Sequence, residues 1–345
     1  MRRILIVLGA LLLVDVVLLF VGGGAEREVR ADTLRVGLVF DVGGRGDKSF
    51  NDSAYAGLMR ARDELGITAE YIEPADGSDR ESALRIFASR GFDLIIGTGF
   101  IFTDDVTLLA TEYPDVRFAC VDYAVKVDDD GNPVPPPPNV AALKFREEQG
   151  SFLVGAVAGM MSETGKVGFV GGMPVPLIKR FEAGYRGGVA HVCPDCTVVT
   201  HYAGVSHTAF KDPGKGKELG LAQYRGGADI IYHASGSTGL GVFEAARETG
   251  KLAIGVDSDQ YHEMPGHVLT SMVKRVDNAL FAVIEDVMED RFEGGIHSFG
   301  LAEDGVGYVF DDNNRGLLPV EVVEPVETIR AQIVAGELDV PDELP

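Results

Sequence analysis

Positive charge is scarce in this chain: 31 lysines and arginines stand against 53 aspartates and glutamates, for a net charge of −22 over 345 residues. Such a surface repels phosphate backbones and argues against a nucleic-acid partner. It leaves an uncharged ligand open. After the first twenty residues there is no second long apolar run, although 46% of the residues are hydrophobic. These proportions imply a water-soluble body with room for two domains. Also missing are a metal-ligand cluster, a Ser/His/Asp ordering and a cofactor fingerprint, so no cofactor is expected. The glycine-rich run Gly236-Ser237-Thr238-Gly239-Leu240-Gly241 lacks both the Gly-Lys-Ser/Thr of a phosphate loop and the spacing of a dinucleotide turn.

Cysteine is rare, with three in all. Cys120 falls within a strand pattern and reads as a buried, inert thiol. Cys193 and Cys196 read first as a small surface disulfide between a helix end and a strand, provided the chain leaves the cytoplasm. A zinc site through His191, Cys193, Cys196 and His201 is the lesser alternative, because the spacing matches no strong zinc pattern.

The chain opens with Arg2 and Arg3, an apolar run from Ile4 to Phe20 broken by Asp15, and then Gly22-Gly23-Gly24-Ala25. Residues 1–25 read as a secretory signal cleaved after Ala25. An uncleaved anchor is the alternative, since the run approaches the roughly 20 residues that cross a bilayer. Asp15 opposes it, at about 3 kcal/mol. Export to the periplasm or cell surface is expected either way.

From residue 34 strand and helix patterns alternate, which implies parallel sheets with helices on both faces. The first unit is the most informative. Leu34, Val36, Leu38 and Phe40 form an apolar strand; Phe50, Ala54, Leu58, Ala61 and Leu65 fall on one helical stripe. Between them lies Asp41-Val42-Gly43-Gly44-Arg45-Gly46-Asp47-Lys48-Ser49-Phe50-Asn51-Asp52, a βα turn in which Ser49 and Asp52 have capping-box spacing. Ser78 and Glu81 repeat that spacing before the next helix. Ligands of open α/β sheets bind beyond the carboxyl ends of strands, which places Asp41, Ser49, Phe50 and Asn51 to touch one. Lys126 to Asn139, with four consecutive prolines, reads as an exposed loop insertion. A fresh series of units starts near residue 146.

The turn resembles the signature of the basic membrane protein family, substrate-binding proteins of ABC transporters that take up purine nucleosides. So do Tyr55-Ala56-Gly57-Leu58, Ile96-Gly97-Thr98-Gly99-Phe100, Val170-Gly171-Gly172-Met173, Phe181-Glu182-Ala183-Gly184-Tyr185, the Ala234-to-Phe243 run, Gly255-Val256-Asp257-Ser258-Asp259-Gln260 and Lys274-Arg275-Val276-Asp277-Asn278-Ala279. The resemblance implies a type I periplasmic binding protein fold: two doubly wound parallel-sheet lobes, a hinge and a cleft. Lobe 1 is expected to hold residues 34–145 and about 252–274, and lobe 2 residues 146–251 and about 275–336, with 337–345 a loose tail. It further implies a nucleoside ligand and a permease partner. Members of that family are commonly lipoproteins, but the leader here has no cysteine to acylate, so membrane retention would need an uncleaved helix.

By the same resemblance Phe50 stacks on a base, Asp41 and Asp122 bind the purine edge, and Asn51, Asp257 and Lys274 hold the ribose. Gly236 contributes backbone groups. For the second face of the base His233 with Met173 rank ahead of Tyr232 and Phe181. Two other readings remain: a membrane-tethered nucleoside sensor, and a nucleoside hydrolase using Asp41 and Asp122 as paired carboxylates.

Overall fold

The computed structural model describes residues 33–74 and 79–344. The leader, in either reading, and Ser78 lie outside the described residues, among which no helix is long and apolar enough to cross a membrane. The folded unit begins at Arg35.

Two six-stranded sheets are built to one plan. The first comprises β1 (Arg35–Val39), β2 (Thr68–Ile72), β3 (Leu94–Thr98), β4 (Arg117–Val121), β5 (Val140–Phe145) and β11 (Gly295–Phe299), in the order β11-β5-β4-β3-β1-β2. The second comprises β6 (Lys166–Gly171), β7 (Thr197–Tyr202), β8 (Ile230–Ala234), β9 (Leu252–Asp257), β10 (Val268–Lys274) and β12 (Val306–Tyr308), in the order β12-β10-β9-β8-β6-β7. All pairings are parallel except that of β10 with β12. Strands covered on both faces are largely apolar, and Leu94–Thr98 and Ile230–Ala234 are buried at every position.

Nine α-helices lie among the described residues. Those that position the site are α1 (Phe50–Leu65), α4 (Glu147–Met161), α5 (Pro176–Val192) and α8 (Val276–Met288). Helices α4 and α5 cross at close range on glycine. A Cβ at Gly184 would overlap the carbonyl oxygen of Glu148, and one at Gly188 that of Phe152. This approach sets the first turn of α4, with Glu147 and Glu148, beside Arg180 and Phe181 of α5.

The expected lobe boundaries need correction. Strands β9 and β10 continue the second sheet in parallel register beside β8, so residues 252–274 belong to lobe 2. The chain crosses back only after Lys274. Helix α8 then packs on α1, and β11 pairs with β5; 276–299 therefore belongs to lobe 1. Three crossings form the hinge: β5 to α4, β10 to α8, and β11 to β12. The tail is also more ordered than expected, since Pro341 packs against Gly187 and the Leu338 amide donates to the Gln332 carbonyl.

Cys193 and Cys196 are joined by a disulfide with an S–S distance of 2.01 Å. This corrects the zinc alternative, because both sulfurs are committed and His201 Nδ1 meets the Gln223 amide at 3.0 Å. Cys120 is a buried free thiol.

Candidate functional site

The glycine-rich turn after β1 is organised by a residue other than the one its spacing indicates. Asp47, not Ser49, caps α1: its carboxylate accepts from the amides of Ser49 (3.0 Å), Asn51 (2.8 Å) and Asp52 (3.1 Å). The expected Ser49–Asp52 box does not form; Asp52 instead accepts from the amides of Gly46 and Lys48. Freed from capping, the Ser49 hydroxyl reaches across to lobe 2 and donates to the Asp257 carboxylate. Asn51 ties the turn together, its Oδ1 accepting from the Asp41 amide (3.0 Å) and its Nδ2 donating to Asp47 (3.0 Å).

Two strand tips of the same rank face this turn. Asp122 follows β4 and Asp257 ends β9, with φ of 60° and 65°. Side chains with a Cβ seldom occupy that left-handed region, and aspartate is among the few that tolerate it. Both carboxylates are thereby lifted off their strands toward the space between the lobes. Lys274, at the end of β10, is 1% exposed and closes the floor. Its ammonium donates to Asp122 at 2.6 and 2.7 Å and lies 3.0 Å from Glu147. It also sits 5.2 Å from the Phe50 ring centroid and 5.6 Å from that of Phe181.

Burial shapes the titration of these groups. It pushes Asp41 up to about 7, against the opposing hydrogen bond from the Val42 amide. Asp257 is likewise pushed up to about 7 by burial, against the pull of Lys274 and Ser49. Burial disfavours the Lys274 ammonium, but the carboxylates of Asp122, Glu147 and Asp257 outweigh it and raise the group above its ordinary value.

One cleft gathers Asp41, Phe50, Asn51, Asp122, Gly236, Asp257 and Lys274. It holds about 580 Å³ free of protein atoms, counting its mouth and the solvent at its opening. Ser49 stands directly behind Asp257. The lobes also meet beside it, where Gln260 donates to the Lys48 carbonyl (2.9 Å) and Ser258 to that of Ser49 (3.1 Å). Phe100 of lobe 1, which lines the cleft, packs on His207 of lobe 2, ring centroids 5.8 Å apart.

His233 and Met173 are not among the cleft's walls. The His233 ring is fully buried, bonded to Gln260 (3.0 Å) and Ser235 (3.3 Å) and packed on Phe243; burial holds its pKa down, at about 4. Strand parity is the reason. On β8, Tyr232 points toward Tyr185 and Ser151 and His233 toward the opposite face, so only Ala234, Ser235 and Gly236 beyond them reach the cleft. Phe181, ranked behind His233 from sequence, lines it, as do Phe100 and Phe210. Phe210 is a wall that sequence reasoning missed. It lies in a short 3-10 turn, His207–Phe210, after β7, and an aromatic beyond the carboxyl end of a parallel strand is the signal that finds it.

Residues 34–343 match a family described as ABC transporter substrate-binding protein, PnrA-like. An uncharacterised lipoprotein of Pyrococcus abyssi is 36% identical over 313 residues, 86% of this chain and 74% of its own. Basic membrane protein A of Borreliella burgdorferi is 32% identical over 328 residues, 94% of this chain and 92% of its own. Among solved structures, an ABC transporter solute-binding protein from Aeropyrum pernix K1 aligns with a TM-score of 0.78 and 32% identity, covering 89% of this chain and 93% of the other.

Proposed function

The chain belongs to the PnrA-like family of ABC transporter substrate-binding proteins, and on that premise we propose that its cleft takes a purine nucleoside. Membership makes it an extracytoplasmic solute-binding protein that hands a small molecule to a permease, and not an enzyme. The ligand's identity is the proposal. One observation carries it: aromatic side chains from both lobes, Phe50 from the first and Phe181 and Phe210 from the second, line the same cleft as the carboxylates of Asp41 and Asp257. Flat apolar faces suit a base, and carboxylate acceptors suit ring N–H groups and a ribose diol.

In this reading Phe50 stacks on the base, with Phe181 and Phe210 on its other face. Asp41 accepts from the purine edge, and Asp257 accepts from the ribose while Ser49 holds it in place. Asn51 positions Asp41, and Gly236, with φ of 55°, presents backbone groups. Among the described residues lining the cleft, the cation is Lys274, already matched by Asp122 and Glu147. An uncharged guest therefore suits the cleft better than a phosphorylated one.

The test is thermal unfolding and calorimetry of the purified chain with adenosine, guanosine and inosine. A rise in melting temperature with at least one is expected; no response to any of them overturns the reading. Phe50→Ala is expected to weaken binding by about 1–3 kcal/mol, roughly 5- to 150-fold. The unliganded melting temperature should shift little, because the ring is only half-buried.

The affinity should also depend on pH. Donors on the ligand favour ionised acceptors, so binding lowers the values of Asp41 and Asp257 from about 7. Affinity is then level above pH 8 and falls below pH 7 by up to about tenfold per unit for each group. A flat titration from pH 5.5 to 8 would remove the carboxylates from the contact. Tethering is a separate matter: sequencing the N-terminus of protein from its own cells distinguishes a released receptor from one that keeps Ile4 to Phe20.

A further inference from the structure

A second chamber adjoins the cleft, separated from it by Phe100, Asp122 and Leu177, which line both. It holds about 700 Å³ free of protein atoms, counting its mouth, and its walls include Lys144, Glu147 and Arg180. The two cations are poorly matched there. Arg180 approaches carboxylates only at 3.8 Å (Glu147) and 3.9 Å (Glu148), beyond hydrogen-bond range, and its Nε is buried without a partner. The Lys144 ammonium donates to the Tyr123 carbonyl at 3.3 Å. A buried guanidinium N–H without an acceptor is unfavourable unless an occupant supplies one.

The neighbouring carboxylates do not come close enough to supply it, although Oε2 of Glu147 and Oε2 of Glu148 are themselves without hydrogen-bond partners. Asp122 and Glu147 are held by Lys274, and burial together with Glu147 pushes Glu148 up to about 7, near neutrality. Two positive groups thus line one cavity without a carboxylate within hydrogen-bond distance of either. Planar guanidinium with a nearby ammonium is the pairing that recognises oxygen anions in a fork.

We infer that this chamber binds a small oxyanion, a phosphate or carboxylate group, through Arg180 and Lys144. Because the chamber and the cleft share a wall, the anion is either free, bound beside the cleft's own ligand, or a substituent of that ligand reaching past Leu177.

Calorimetric titration of the full chain with inorganic phosphate, with and without saturating adenosine, and with adenosine 5′-monophosphate tests this. Phosphate is expected to bind, and Arg180→Gln or Lys144→Met to weaken it by roughly tenfold or more, with adenosine affinity unchanged to within about twofold. Phosphate binding in the presence of adenosine identifies a free anion. Binding of the monophosphate alone, weakened by Arg180→Gln, identifies a substituent of the cleft ligand. If neither anion binds, or if binding ignores both substitutions, the inference is wrong. Should Arg180→Gln fail to fold, Arg180→Lys and Lys144→Met carry the same comparison. Failure of adenosine, guanosine and inosine all to bind overturns only the nucleoside reading, since phosphate reports on the chamber independently.

Discussion

Lys274→Met is expected to destabilise the folded chain by about 3–5 kcal/mol, the loss typical when one partner of a buried ion pair is removed. Lys274 is 1% exposed and stands between Asp122 and Glu147, whose side chains are 4% and 1% exposed. Methionine fills similar volume but leaves two buried carboxylates facing each other. Oxygen Oε2 of Glu147 already lacks a hydrogen bond, and the nearest other cation, Arg180, stays 3.8 Å away, so the ammonium is not replaced at hydrogen-bond distance. The pH dependence separates this cause from simple mispacking. An acid raised in the folded state leaves stability intact below its unfolded value and erodes it as pH climbs through the gap. Burial already raises Glu147, and losing Lys274 raises it further. The deficit should therefore be largest at pH 8 and shrink toward pH 5. Adding Glu147→Gln should restore part of the loss at pH 8. A Lys274→Met protein that melts with its parent at pH 8 would mean the ion pair contributes nothing net.

Asp257→Asn should move stability the other way. Burial raises Asp257 from 3.8 to about 7, and each unit is worth about 1.4 kcal/mol. Its ionised form thus opposes folding by a few kcal/mol above pH 7, an effect that develops between pH 4 and 7 and is absent below. Asparagine removes the charge, keeps an oxygen for Ser49 to bond, and tolerates the left-handed backbone at this position. The unliganded variant is expected to gain on the order of 2 kcal/mol at pH 8 and to differ little from its parent at pH 4. Nucleoside affinity should fall by roughly 10- to 150-fold, the worth of a charge-assisted hydrogen bond of about 1.5–3 kcal/mol. A variant more stable empty yet weaker at binding would identify Asp257 as held for the ligand's sake. Equal stability at pH 4 and pH 8 in the parent, or undiminished affinity in the variant, would contradict this.

Much of this arrangement is legible in the amino-acid order because strand tips are. Where an apolar strand stops at an acid or a lysine, as at Asp41, Asp122, Asp257 and Lys274, the residue falls at the carboxyl edge where ligands of such sheets bind. The cleft collects all four. Other features leave weaker traces. The return to lobe 1 at Arg275 passes from β10 into α8 without a loop, so no composition change marks it, and a boundary drawn from sequence falls too early. The place of His233 is hidden because burial on both faces of β8 erases the polar/apolar alternation that reveals which side a residue faces. Glu147 reads as an ordinary acid in the first turn of a helix; only the fold discloses that it completes the cage around Lys274.

The position of that cage bears on how the molecule parts with its cargo. Lys274 lies one residue before the backbone changes lobes, so its bond to Asp122 sits beside one of the three hinge crossings, whereas Phe100 and His207 belong to none of them. In a rigid swing displacement grows with distance from the axis. A modest opening should part these two rings by more than it lengthens the Lys274–Asp122 pair. The gate can then swing with that pair intact, and its ease of opening is set by the ring contact together with the bonds that Ser49, Ser258 and Gln260 make between the lobes.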